Sequence, residues 1–132
     1  MPVYSEYLRE PTQQDQDALA KLYPNDAETL IDAAKQGRLL LIGGRFNGSL
    51  ISALTLTPIH GGDYELARLT VRDIPRRRGT ARQLLIQCMK DLPDDLRSMS
   101  ADISKAPELS SLLTELGFEN LGHCWQWQRP QS

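Results

Sequence analysis

The chain has 132 residues, of which 40% are hydrophobic and 24% are charged, and its formal net charge at pH 7 is -2. This size and composition predict a single globular domain over residues 1–132, long enough to bury a core. The near balance of 15 basic and 17 acidic residues argues against an extended basic surface for nucleic acid. No stretch reaches the roughly 20 apolar residues of a membrane span, and the first residues lack the pattern of a signal peptide.

The cysteine content is low. Cys88 and Cys124 have no metal-ligand spacing. Cys88 falls on the apolar face of a predicted helix, so we expect it to be a small core residue. Two cysteines do not make a disulfide framework, and the sequence predicts a cytoplasmic protein with no metal site.

The first third of the chain predicts one strand followed by two helices. Residues 3–8 alternate loosely between polar and apolar side chains and are interpreted as a strand. Thr12 is a suitable N-cap for a helix that Pro24 ends. A second helix is expected to begin near Asp26, and Gly37 suits its C-terminal cap.

The middle of the chain predicts an antiparallel hairpin and then a central strand. Residues 38–46 and 49–57 are joined by Asn47-Gly48, a pair favoured in type I′ turns because both central residues need positive φ. Residues 39–42 are continuously apolar, which predicts a strand covered on both faces. Residues 60–63 are interpreted as the next turn and residues 64–71 as the central strand.

The second half of the chain predicts two helices and three further strands. Apolar residues recur at helical spacing from Ala81 until Pro93 ends the pattern. Residues 97–103 are interpreted as a strand, and Ser104 is predicted to cap a last helix with Pro107 in its first turn. Residues 118–121 and 123–128 are the closing strands. The element order predicts an α/β (α+β) fold, with about six to seven strands in a mixed sheet and about four helices on its two faces.

The most informative segment joins the central strand to the third helix. It contains three consecutive arginines at positions 76–78, then Gly79, and it leads directly into the helix. The first N–H groups of a helix have no internal acceptor and lie at the positive end of its dipole, so this segment is predicted to bind phosphate. Gly79 permits close approach because it has no side chain. The alternatives are a solvated surface turn and a nucleic-acid contact.

Two motifs resemble those of the GCN5-related N-acetyltransferases, the GNAT family. The spacing Arg76-x-x-Gly79-x-Ala81 resembles that family's Arg/Gln-x-x-Gly-x-Gly/Ala loop. Residues 113–118, which read Leu-Thr-Glu-Leu-Gly-Phe, resemble the end of the family's last helix. The resemblance implies a GNAT fold and acetyl-CoA (CoA) as the cofactor, with its pyrophosphate in the basic loop.

Catalytic residues are not assigned by these motifs. In many GNAT enzymes a tyrosine four residues before the Gly-Phe pair protonates the departing thiolate, and here that position is Leu113. Glu65 is the nearby strand carboxylate that would serve as a general base, and a solvated or paired strand residue is the alternative. The catalytic residues are therefore unknown, with Glu65 as a candidate, and enzyme activity is undecided.

Nearly the whole chain resembles a narrower family, PanZ (PanM), the acetyl-CoA-sensing maturation factors of aspartate decarboxylase. The segments that carry this resemblance are residues 15–17, residues 22–24, Arg45-Phe46-Asn47, residues 69–79, and residues 116–118 with Trp125. The resemblance implies a regulator that binds acetyl-CoA, docks on aspartate 1-decarboxylase and promotes self-cleavage of the proenzyme, which links pantothenate and CoA synthesis to acetyl-CoA level. The alternative is a small N-acetyltransferase that acts on an unknown amine.

The resemblance also implies which residues bind. Backbone groups at the end of the central strand would contact the pantetheine arm, and the loop would surround the pyrophosphate. The implied cofactor-binding residues are Leu69, Thr70, Val71, Pro75, Arg76, Arg77, Arg78, Gly79, Thr80, Ala81 and Arg82. Arg45 and Asn47 would face the decarboxylase, although turn geometry alone also explains Asn47.

Overall fold

The computed structural model describes residues 3–72 and 79–130. In chain order its elements are β1 (Tyr4–Tyr7), α1 (Gln13–Leu22), α2 (Ala27–Lys35), β2 (Leu40–Phe46), β3 (Ser49–His60), β4 (Asp63–Val71), α3 (Thr80–Lys90), β5 (Ser98–Ala101), α4 (Ser110–Glu115), β6 (Glu119–Asn120) and β7 (Trp125–Gln128). A 3₁₀ turn at Pro107–Leu109 precedes α4. Within this part of the chain, the predicted order of strands and helices is confirmed.

The strands form one mixed sheet of seven strands in the order β1-β2-β3-β4-β5-β7-β6. β4 and β5 are parallel, and every other neighbouring pair is antiparallel. The predicted hairpin between β2 and β3 is confirmed, because Asn47 has φ 50° and Gly48 has φ 81°, as a type I′ turn requires. No helix in residues 3–72 and 79–130 combines the length and the apolar character that a membrane span needs.

Helices cover both faces of the sheet, as the sequence predicts. Leu41 and Ile42 are adjacent in β2, and their side chains enter different core clusters because successive strand residues point to opposite faces. The cluster of Ile42 contains residues of α3 and α4, whereas the cluster of Leu41 contains residues of α1 and α2. Cys88 of α3 is 3% exposed in the first cluster, which confirms it as a core residue, and burial raises the pKa of its thiol to about 12.

The predicted cap at Thr12 is confirmed, and the predicted cap at Ser104 is wrong. The hydroxyl of Thr12 accepts a hydrogen bond from the Asp15 N–H at 3.1 Å, and the Asp15 carboxylate accepts one from the Thr12 N–H at 3.3 Å, which is a capping box. Ser104 does not cap the last helix, since α4 begins six residues later, at Ser110. The Ser104 N–H instead donates to the Asp102 carboxylate at 2.9 Å. This is a local Asx turn, and the next helical turn begins only at Pro107.

Candidate functional site

The sheet opens between β4 and β5. β4 is paired with β3 from Asp63 to Val71, but it is paired with β5 at three positions only, Asp63, Tyr64 and Glu65. Beyond Glu65, the edge of residues 66–71 that faces β5 has no strand partner among the described residues. A strand edge of this kind presents backbone N–H and C=O groups that can pair with an extended ligand. We call this gap the β4–β5 opening.

The N-terminus of α3 lies at the same end of the sheet as the last residues of β4. Gly79 is the N-cap, with φ 77°, a conformation in which glycine has no Cβ penalty. The N–H groups of the first turn have no acceptor within the helix and carry partial positive charge. Gln83 of this turn accepts a hydrogen bond from the Val3 N–H at 3.1 Å, which anchors α3 beside the start of β1. The arrangement suits an anion that is attached to an extended chain.

The structure brings most of the described cofactor-binding candidates to this one end of the molecule. Leu69, Thr70 and Val71 are partly buried on the free part of β4. Thr80 is buried and Ala81 is partly buried in the first turn of α3. The remaining residues of the predicted loop, Pro75, Arg76, Arg77 and Arg78, lie outside the described residues.

Arg82 makes a contact that the sequence did not predict. Its Nε donates to the carboxylate of Glu115 at 2.6 Å, and the two side chains are 54% and 50% exposed. The pair joins the first turn of α3 to the last residue of α4. Because the two residues are 33 positions apart, no helical spacing rule could have paired them.

The catalytic candidate Glu65 lies on the surface, and Leu113 lies in the core. Leu113, at the position of the family's tyrosine, is 1% exposed within the core cluster that also contains Leu84 and Phe118. Glu65 is exposed at the last paired position of β4 and β5, which is the closed end of the opening.

Arg45 is engaged within the protein, whereas Asn47 is on the surface. Nη1 and Nη2 of Arg45 bind the two carboxylate oxygens of Asp15 at 3.0 and 2.9 Å, and Nε donates to Glu6. The hydrogen bond with Asp15 is the main reason that the pKa of Arg45 is raised. Asn47 is exposed at the turn between β2 and β3. Of the two proposed partner-binding residues, Asn47 is therefore the more available.

Several clefts lie outside the β4–β5 opening. A cleft of about 320 Å³ lies beyond the C-terminal end of β5 and is lined in part by Asp102, Ser104, His123 and Cys124. Larger clefts of about 820 and 620 Å³ lie near the β3–β4 turn and near the first residues of β2. Among the residues that the structure describes, neither of the larger clefts is lined by one predicted to bind cofactor or partner. In the part of the chain that the structure describes, no group of His, Cys, Asp and Glu side chains could hold a metal ion.

Comparisons with known proteins agree with this geometry. A curated relative, the PanD regulatory factor of Salmonella typhimurium, is 28% identical over 115 residues, which cover 86% of this chain and 88% of the relative. The solution NMR structure of the putative N-acetyl transferase YhhK from E. coli bound to coenzyme A aligns with a TM-score of 0.77 and 22% identity, over 98% of this chain and 100% of that one.

The fold extends to established acetyltransferases. The crystal structure of aminoglycoside 6'-acetyltransferase type Ii aligns over the full length of both chains, with a TM-score of 0.76 and 14% identity. At that identity the likeness establishes the GNAT fold and nothing finer. The family model described as "Acetyltransferase (GNAT) domain, PanZ" matches residues 2–126. The chain therefore belongs to the PanZ family of GNAT domains.

Proposed function

We propose that this protein is an acetyl-CoA-binding regulator of aspartate 1-decarboxylase, which promotes self-cleavage of the proenzyme and adjusts pantothenate and CoA synthesis to the supply of acetyl-CoA. Residues 1–132 would act as one GNAT domain in the cytoplasm. The observation that carries the proposal is the β4–β5 opening beside the N-terminus of α3, in a chain of the PanZ family.

The cofactor would bind with its phosphates at α3 and its pantetheine arm along β4. The first-turn N–H groups of α3 and the arginines of the preceding loop would neutralise the pyrophosphate. The arm is an extended chain with two amides, so it can pair with the free backbone edge of Leu69, Thr70 and Val71 as an added strand would. The thioester would then point toward the closed end of the opening.

Buried Leu113 supports a binding role over a catalytic one. An aliphatic side chain cannot donate a proton to a departing thiolate, and this one is 1% exposed in the core. Glu65, at the closed end of the opening, is exposed on β4. A bound, unreacted thioester is what a sensor of acetyl-CoA requires.

The partner proposal rests on the family and on the β2–β3 turn. The Salmonella relative is named as a regulatory factor of PanD, and we propose the decarboxylase as the partner of this chain too. Arg45 and Asn47 lie at the end of the sheet where β4 ends. Arg45 is opposite Leu50 of β3, and Ser52, two residues further along β3, is opposite Val71 of β4. A surface that includes this turn would therefore be close to the bound cofactor.

Two measurements test the proposal in sequence. Calorimetry should detect binding of acetyl-CoA to the purified protein. Self-cleavage of purified pro-aspartate 1-decarboxylase should then be faster with this protein and acetyl-CoA together than with either alone. If acetyl-CoA gives no heat, the cofactor site is wrong; if it binds but the cleavage rate is unchanged, the partner is wrong.

The second candidate function is transfer of acetyl to a small amine. The cleft beyond β5, lined in part by His123 and Cys124, offers space for an acceptor. Positioning alone can accelerate such a reaction without a dedicated general acid. Release of free CoA thiol in the presence of an amine panel would support this alternative, and no release above the hydrolysis background would dismiss it.

A further inference from the structure

β4 contains a bulge in the middle of its free half. Ala53 is opposite Thr70 and Thr55 is opposite Ala67, so two residues of β4, Arg68 and Leu69, face the single residue between them on β3. Arg68 has φ 59°, in the left-handed region that side chains other than glycine, asparagine and aspartate seldom adopt. A conformation of this kind persists where surrounding contacts hold it.

Those contacts come from the junction of α1 and α2. The hydroxyl of Tyr23, the C-cap residue of α1, donates to the Arg68 carbonyl at 2.7 Å. The Arg68 guanidinium lies over the Tyr23 ring, 5.5 Å from its centroid, and also pairs with the Asp26 carboxylate. We call Tyr23, Asp26 and Arg68 the bulge cluster.

Tyr23 is suited to hold a backbone group in a fixed place. It is 5% exposed, and burial raises the pKa of its hydroxyl, so it remains a hydrogen-bond donor through the physiological pH range. Its ring packs in the α1–α2 core with Leu19, Leu22 and Leu41. The position of the Arg68 carbonyl is thus set by a rigid part of the molecule on the face opposite α3.

The bulge lies where the far end of an extended ligand would arrive. Arg68 is three residues before Val71, or about 10 Å along the strand. A carrier whose phosphates bind at the N-terminus of α3 and whose arm follows β4 would therefore bring its thioester to the bulge. A change of bulge geometry would move the backbone groups that meet this end of the ligand and leave the phosphate end untouched.

We propose that the bulge cluster is a positioning site, which fixes the edge of β4 against the thioester end of acetyl-CoA. This inference rests on the proposed cofactor function. Tyr23 and Asp26 would not touch the ligand; they would act through the backbone of Arg68 and Leu69. Through this cluster, the position of the β4 backbone that meets the cofactor would also depend on how α1 and α2 pack against the sheet.

The test compares three ligands on one conservative variant. Tyr23→Phe keeps the packed ring and removes the hydroxyl that binds the Arg68 carbonyl. Because this bond joins two protein groups, its loss lowers affinity only as far as the edge of β4 leaves the binding geometry, so acetyl-CoA and CoA should bind this variant more weakly by calorimetry, by up to about tenfold. Adenosine 3′,5′-bisphosphate, which has no pantetheine arm, should bind as it does to the wild type. A general loss of structure would weaken all three ligands together.

The matched control is a second buried tyrosine, which lies in β4 itself. The buried Tyr64 donates its hydroxyl to Asp95 at 2.9 Å at the opposite end of β4. Tyr64→Phe loses a comparable bond and should leave the affinity for acetyl-CoA within about twofold of the wild type. An equal loss in both tyrosine variants would overturn the proposal.

Substitutions of Arg68 supply a second, independent readout. Arg68→Gly removes the side-chain contacts but adopts positive φ without a Cβ penalty and keeps the carbonyl, so it should lose less affinity for acetyl-CoA than a variant that disfavours positive φ. Arg68→Val disfavours positive φ and should weaken acetyl-CoA binding several-fold. If Arg68→Gly bound acetyl-CoA more weakly than Arg68→Val, bulge geometry would not control the affinity, and the proposal would be overturned.

Hydrogen exchange separates this proposal from the proposed function. Amides of residues 66–71 should exchange faster in Tyr23→Phe than in the unliganded wild type. If the wild type does not bind acetyl-CoA, the proposed cofactor function fails, and the positioning role fails with it. Faster exchange in Tyr23→Phe would then show that the bulge cluster only stabilises β4. If the wild type binds and Tyr23→Phe binds equally well, the bulge-cluster proposal alone is overturned.

Discussion

Arg45 and Asp15 form a two-point ion pair, with Nη1–Oδ1 and Nη2–Oδ2 distances of 3.0 and 2.9 Å. Asp15 is 7% exposed and also belongs to the capping box at the start of α1. The pair therefore fastens α1 to the β2–β3 hairpin at the end of the sheet where the proposed partner surface lies. Because Arg45 is bound to carboxylates of the same molecule, we expect it to hold the hairpin and α1 in place and so to determine the shape of that surface.

Removing the charge of Asp15 should destabilise the protein. Asp15→Asn removes the negative charge and one of the two oxygens that bind the Arg45 guanidinium, and we expect the free energy of unfolding to fall by about 1.5–3 kcal/mol. Asp17→Asn is the control, because Asp17 is exposed on the same helix and should change stability by less than about 0.5 kcal/mol. Urea denaturation measures both; similar effects for the two variants would contradict a special role for Asp15.

The same carboxylate predicts a pH dependence. The hydrogen bond from Arg45 is the main reason that the pKa of Asp15 lies below its ordinary value of 3.8. A folded-state pKa below the unfolded one means that the pair stabilises the native state above that ordinary value and loses the contribution as pH falls through the folded-state pKa. The stability difference between wild type and Asp15→Asn should be constant near neutral pH and shrink below about pH 4. A difference that does not change down to pH 2 would be inconsistent with this linkage.

The β2–β3 turn offers a way to separate folding from partner binding. Asn47→Gly keeps a residue that accepts positive φ, so it should leave stability within about 0.5 kcal/mol while removing the side-chain amide. Asn47→Ala should cost about 1 kcal/mol, because alanine disfavours that conformation. If Asn47 contacts the decarboxylase, both variants should weaken docking in a pull-down. Docking that is unchanged in Asn47→Gly would assign Asn47 to turn geometry alone.

The pair of Arg82 and Glu115 should lower the affinity for a polyphosphate. Glu115 places a carboxylate beside a cation at the N-terminal turn of α3, where the phosphates of CoA are proposed to bind. Glu115→Gln should therefore bind acetyl-CoA about two- to fivefold more tightly near 0.1 M salt, and the gain should decline at higher ionic strength. Arg82→Gln should change affinity in the opposite direction. Calorimetry at two salt concentrations checks both signs.

Replacing Leu113 with the tyrosine that many GNAT enzymes have at this position should not create an acetyltransferase. The side chain is 1% exposed among Leu84, Phe118 and other core residues, so the larger ring would overpack the cluster. We expect Leu113→Tyr to lose about 1–3 kcal/mol of stability and to release no CoA thiol from acetyl-CoA with an amine panel. Leu113→Met, of similar volume, is the control for packing. Thiol release by the tyrosine variant would refute our interpretation of this position.

Most of the fold follows from local signals in the sequence. Thr12, Asn47-Gly48 and Pro93 act within a few residues of themselves, and each marks an element end that the structure confirms to within a few positions. The continuous apolar run at Leu41 and Ile42 correctly predicted helices on both faces. The predicted cap at Ser104 was wrong because the chain forms an Asx turn from Asp102 to Ser104, and helical structure begins only at Pro107.

The site was less accessible to such reasoning. The motif around Gly79 predicts a phosphate site, and the structure has the start of α3 at that place; phosphate binding there stays a prediction. The β4–β5 opening depends on where two strands stop pairing, and the bulge depends on Tyr23 meeting the carbonyl of Arg68, which is 45 positions away. Nothing in the periodicity of β4 encodes either feature.

The three-position junction between β4 and β5 has a consequence for the lifetime of the protein. Two portions of the sheet are joined by a short run of ladder bonds, and a molecule that spans the gap would supply missing backbone partners. Ligand at 100 times its dissociation constant adds about 2.7 kcal/mol to the native state. Resistance to cellular proteases would then rise and fall with the acetyl-CoA pool, so the amount of this protein, as well as its occupancy, would carry the metabolic signal.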